Sequence, residues 1–120
     1  MASTQELIKT AVERFQADVP ALANLKMVFE LELRGRGDVQ VFRVRLPAPE
    51  VTKGEPDDAR LEVAMSRSVF NRLAEKSRVA DWRDAYDHGE VKVAGDPEVR
   101  KLIGTVIERH LARAQLRKAH

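Results

Sequence analysis

The chain contains no cysteine, which removes disulfides, thiolate nucleophiles and cysteine-ligated metals together. Aromatic residues are few, with one Trp, one Tyr and four Phe, so there are few stacking platforms for nucleic-acid bases. Long apolar runs are also missing: Glu, Lys or Arg interrupts every one well short of the roughly 18 to 20 residues that a membrane span needs. Met1-Ala2-Ser3-Thr4-Gln5-Glu6 has neither the basic start nor the apolar centre of a signal peptide. The expectation is a soluble cytoplasmic protein. Nor is there an excess of one charge, since 21 Lys and Arg face 19 Asp and Glu. The resulting +2 names no nucleic-acid partner even at a pI of 9.1. What is present is 43% hydrophobic residues in 120, enough for one core and one domain over residues 1–120.

Two periodicities divide the chain. Ser3 and Glu6 have the spacing of a capping box, and Leu7, Ile8, Ala11, Val12 and Phe15 follow on one helix face that ends before Pro20. From Met27 the period becomes two: Met27, Phe29, Leu31 and Leu33 alternate with Val28, Glu30, Glu32 and Arg34. If Arg36-Gly37 close a hairpin, Leu31 faces Phe42, Phe29 faces Val44, Met27 faces Leu46, and Glu30 meets Arg43 on the outer face. The Pro- and Gly-bearing interval Leu46–Asp58 reads as a long exposed loop, and Leu61, Val63 and Met65 as the third strand of a meander. Helices follow over Ser66–Arg78 and Asp81–His88, then a short strand with Val91 and Val93. A long helix starts at Asp96-Pro97 with an apolar stripe of Val99, Leu102, Ile103, Val106, Ile107, His110, Leu111 and Ala114. The expected fold is α+β, a sheet of four to five antiparallel or mixed strands covered on one face by helices.

Candidates for chemistry are thin. Asp84 and His88 are four apart on a helix, but no third group completes a metal site or an acid–base pair, so they read as a solvated surface pair. His110 belongs to the apolar stripe and His120 to the C-terminal end. Arg36-Gly37-Asp38 is a hairpin turn, and Asp96 caps a helix instead of leaving it free for an anion. Arg34, Arg36, Arg43, Arg45 and Arg60 read as a solvated sheet face with Glu30 and Glu32 interleaved. Arg109, Arg113, Arg117 and Lys118 suit the negative end of their own helix, with at most transient membrane contact.

The element order, with Gly89, Val91, Val93, Gly95 and Asp96 placed as glycine, alternating short strand and Gly-Asp helix opening, resembles the sterol carrier protein 2 family of small lipid-binding domains. The likeness spans roughly Leu7 to Leu111. The chain departs from the family's pattern at Ala74–Val79, where many members have a glycine-rich step, and at the 47–58 loop. Its end, Lys118-Ala119-His120, is not a peroxisomal Ser-Lys-Leu tripeptide. The resemblance implies an apolar cavity between sheet and helices, bordered by Phe29, Leu31, Phe42, Val63, Phe70, Trp82, Tyr86, Leu102 and Val106. It implies a non-enzymatic carrier of an apolar small molecule such as a fatty acid, sterol or isoprenoid, without catalytic residue, metal, cofactor or nucleic acid. An accessory or interaction subunit with a filled cavity, supporting a partner enzyme, is the alternative.

Overall fold

The computed structural model describes residues 3–118. Ala119 and His120 of the terminal tripeptide, and Met1 and Ala2 of the N-terminal segment, lie outside the described residues. In chain order the elements are α1 (Thr4–Asp18), a 3-10 turn (Pro20–Leu22), β1 (Val28–Arg34), β2 (Val39–Arg45), β3 (Glu50–Lys53), β4 (Leu61–Ser66), α2 (Arg67–Lys76), α3 (Val79–Asp87), β5 (Val91–Gly95) and α4 (Pro97–Lys118). The fold is α+β, one five-stranded mixed sheet with helices against one face.

Local chemistry sets the element ends. The α1 capping box is made, with the Glu6 amide donating to Ser3 Oγ at 3.2 Å and the Ser3 amide to Glu6 Oε2 at 3.4 Å. Ser66 Oγ accepts from the Val69 amide at the start of α2. At α4, Asp96 Oδ1 accepts from the Glu98 amide at 2.9 Å, so capping is what this aspartate does. Gly95 ends β5 at φ +119°, and a Cβ there would stand 2.5 Å from the Arg60 carbonyl oxygen; no other residue fits without moving the backbone.

The hairpin forms in the expected register, with Phe29 opposite Val44, Glu30 opposite Arg43 and Leu31 opposite Phe42. Leu31, Leu33, Phe42 and Val44 are buried beneath the helices. The meander, however, does not form. Leu61–Ser66 lies parallel to β1 on its other side, with Phe29 beside Leu61 and Leu31 beside Val63, giving the order β3-β2-β1-β4-β5. The edge next to β2 is taken by β3, which lies inside the interval read as a loop. Val51 is the only apolar residue of Glu50–Lys53, so no alternation marks this strand. A short, charged strand of this kind suits a sheet edge, while the apolar β4 takes the interior place beside β1.

The register does not bring Glu30 and Arg43 into an ion pair. Arg43 makes a two-pronged pair with Asp58, at 3.0 and 2.7 Å. On the uncovered face Glu30 sits beside Glu62 of β4. Burial, then the negative charges of Glu62, Glu55 and Glu32, push its carboxyl above the ordinary range.

Candidate functional site

The helices close over the sheet as two separate apolar clusters. The larger joins α1, α2 and the strands through Ile8, Ala11, Leu31, Leu33, Phe42 and Phe70. The smaller is built on Val19, Leu22 and Val79, with Phe15, Leu25, Ile103, Val106, Ile107 and Leu111 packed against it. A pocket of about 890 Å³ lies between them, with walls drawn from both clusters, from Ile8 and Phe70 on one side to Leu22 and Ile107 on the other.

The walls follow from the elements. Phe29 and Leu31 of β1 and Val63 and Met65 of β4 form the floor, because alternation points them to the helix-covered side. Ile8, Ala11 and Phe15 of α1 form one flank, at the helical spacing already seen in the sequence. Val79, Trp82 and Tyr86 of α3 and Ile103, Gly104 and Ile107 of α4 form the other. Each lining residue that is exposed to solvent lies in α3 or α4: Tyr86, Pro97, Arg100, Lys101, Thr105, Glu108 and Arg109. The pocket therefore opens between these two helices, through a rim much more polar than its interior.

Asp18, at the end of α1, holds this flank in place. Its Oδ2 accepts from the Val79 amide at 2.8 Å, capping α3 from another helix, and its Oδ1 accepts from Arg78 Nη2 at 2.8 Å. His110 Nε2 of α4 lies 3.7 Å away. The bond from Arg78 lowers the Asp18 carboxyl below the ordinary range; burial opposes this, and the Val79 amide adds to it. At the rim, Arg83 of α3 pairs with Asp87 at 3.1 Å and also contacts Glu108 of α4, tying the two lips together. Among the described residues Lys101 and Arg109 have no such ion pair.

Six of the nine residues expected at the cavity stand on these walls: Phe29, Leu31, Val63, Phe70, Trp82 and Tyr86. Three do not. Phe42 is buried in the larger cluster and does not line the pocket. Val106 packs against the smaller cluster. Leu102 is 52% exposed, because the inner side of α4 is centred on Ile103, Ile107 and Leu111, and a stripe written from both 3- and 4-residue steps is wider than the side that packs. Tyr86, also placed in the apolar set, is 50% exposed at the rim. The wall residues not anticipated include Leu22 and Leu25, whose three-residue spacing after Pro20 was the available signal.

The remaining candidates are satisfied locally. Asp84 and His88 are exposed, and the His88 ring meets the Asp84 main-chain carbonyl at 2.7 Å instead of its carboxylate, ending α3. Among the described residues no group of three His, Asp or Glu could hold a metal ion. Four of the five sheet arginines are paired with carboxylates: Arg34 with Glu32, Arg43 with Asp58, Arg45 with Glu50 and Arg60 with Asp96. No described helix is long and apolar enough to cross a membrane.

No protein-family profile matches the chain, and no curated protein matches it significantly. Among solved structures the fold is that of sterol carrier protein 2 domains. The sterol carrier protein domain 2 of Helicoverpa armigera aligns with a TM-score of 0.60 at 13% identity, over 86% of this chain and 84% of that one. The palmitated sterol carrier protein 2-like 2 of Aedes aegypti aligns at 0.57 and 23% identity, over 83% and 93%. Sterol carrier protein 2 of Aedes aegypti, solved with the C16 fatty acid palmitate, aligns at 0.54 and 16% identity, over 89% and 96%.

Proposed function

We propose that this chain, built on the sterol carrier protein 2 fold, is a non-enzymatic carrier of a long-chain acidic lipid held in the pocket between sheet and helices. The observation that carries the reading is the apolar interior of about 890 Å³, inside the range of ordinary ligand pockets, which opens at a rim bearing Lys101 and Arg109. The filled-core alternative would need this space occupied by side chains. The palmitate of two structural neighbours supports an acyl chain as the ligand.

The energetics need no reactive group. Each buried methylene contributes about 0.8 kcal/mol, so about ten supply the equivalent of micromolar affinity before the cost of association. Association and ordering take part of this, so a usefully tight ligand has a chain longer than ten carbons. The carboxylate then stays at the rim, close to water and to the two cations, and avoids the cost of burying an unpaired charge. Uptake and release proceed by exchange, with no bond made or broken.

Native mass spectrometry of freshly purified protein tests the reading. The expected spectrum shows one apolar adduct per chain, lost on denaturation and replaced by added palmitate. A bare chain that takes up no palmitate contradicts it.

A further inference from the structure

The charge of this protein is unevenly placed. α4 carries six Lys and Arg against two Glu, a net +4, so the rest of a chain of net +2 carries −2. The helix dipole accounts for cations in the last turn, at Arg117 and Lys118. It does not account for Arg109 and Arg113 further back, nor for their neighbours. Leu102, Arg109, Arg113 and Leu116, spaced seven, four and three apart, share one face of α4. All four are exposed, Leu102 by 52% and Leu116 by 63%. Arg109 also lines the pocket, so this face adjoins the opening, and exposed Tyr86 stands on the same rim.

We propose that this face of α4, together with Tyr86, docks on a bilayer that contains anionic lipid. Leucines between arginines fit such a surface: the apolar side chains enter the boundary below the headgroups while the guanidinium groups stay among the phosphates. Tyrosine, with an apolar ring and a polar tip, fits the same depth. A second copy of the chain is a poor occupant, because it would bring one +4 helix against another. An acidic protein surface would meet the charge but gives the two exposed leucines no apolar medium. Docking turns the opening between α3 and α4 toward the membrane, so that a ligand can pass between bilayer and pocket. That last consequence rests on the carrier reading; the docking itself does not.

The test is flotation of the full chain with vesicles of phosphatidylcholine, alone or with about one-third phosphatidylglycerol, in 0.1 M and 1 M salt, where the screening length falls from about 10 to about 3 Å. The protein is expected to float with the anionic vesicles in 0.1 M salt, to stay behind with phosphatidylcholine alone, and to be released in 1 M. Arg113→Gln should weaken anionic-vesicle binding about fivefold, Leu116→Ser about tenfold, and the double variant about fiftyfold. Neither residue lines the pocket, so palmitate quenching of Trp82 in solution should be unchanged. No flotation, equal flotation with neutral vesicles, an unaltered double variant, or equally tight binding to soluble polyglutamate would each overturn the proposal. The two readings fail separately. Palmitate uptake without flotation removes the docking alone, and flotation without palmitate uptake removes the carrier alone.

Discussion

Away from the pocket walls, under α1 and α2, the sheet is sealed, with Leu33, Phe42 and Val44 each no more than 2% exposed. Under α3 and α4 it is not. Val99 is the one buried apolar residue of α4, and Ile103, Val106, Ile107 and Leu111 are only partly covered. Both halves use aliphatic side chains at helical spacing, so composition does not separate them. The difference is where the helices are anchored. α2 lies on the central strands β1 and β4, and α1 lies against α2 and the edge strand β3, whereas α4 rests at one side on β5 and at the other on the 3-10 turn, and spans the gap between. An apolar stripe shows that a helix has an inner side; it does not show how far that side stands from its neighbour.

Truncation should expose this contrast most strongly. Leu33→Ala removes a fully buried side chain and should cost about 3 kcal/mol, whereas Ile103→Ala, already beside open space, should cost about 1 kcal/mol. Urea unfolding of the two variants measures both, and equal costs would mean that the two halves pack alike.

Asp18 comes next, because it fastens the open half to the closed one. Asp18→Ala leaves the Val79 amide uncapped and should cost about 2 kcal/mol at neutral pH. Most of this belongs to the cap, since Arg78 is 76% exposed and its ion pair is screened. The folded carboxyl is held below its unfolded value near 4, so the contribution is full above that pH and is lost as pH falls through the lowered value. Thermal melts of both proteins from pH 7 to pH 3 should converge at the acid end.

At the rim, Lys101→Gln with Arg109→Gln should weaken palmitate binding about tenfold and leave the corresponding alcohol unaffected, because only the carboxylate carries charge. Competition titration of the two ligands separates this from a change in the apolar wall. On the far side of the sheet, Glu30→Gln should raise stability by about 0.5 kcal/mol at neutral pH by removing a partly buried charge and its repulsion with Glu62, Glu55 and Glu32. Because the folded carboxyl of Glu30 is raised, that gain should disappear in acid as the wild-type group takes up its proton.

The closed half was the more legible in the sequence. A period of two specifies faces, and the requirement that Phe29, Leu31, Phe42 and Val44 share one face leaves a single hairpin register. The same period says nothing about which strands are neighbours, so the parallel pairing of β4 with β1 could not be read from Leu61, Val63 and Met65. β3 was hidden because an edge strand with one apolar residue resembles a loop. The Asp18 cap joins positions 18 and 79, and no local pattern marks a partner sixty residues away. Six of the nine residues expected at a cavity line the pocket, while Leu102 shows how a stripe broader than the contact it makes misplaces a side chain.

The most direct test of the open half is Gly104→Leu. Gly104 lines the pocket in the middle of α4, and a Cβ there meets nothing within 4 Å. Replacing a helical glycine with leucine should stabilise α4 by about 0.5 to 1 kcal/mol while its side chain takes up ligand space. Titrating palmitate against Trp82 fluorescence, with a thermal melt of the same samples, should show one saturable site in the wild type. In the variant, binding should be at least about tenfold weaker and the Tm no lower. Unchanged palmitate binding in a stably folded Gly104→Leu protein would contradict the assignment of this pocket as the ligand site.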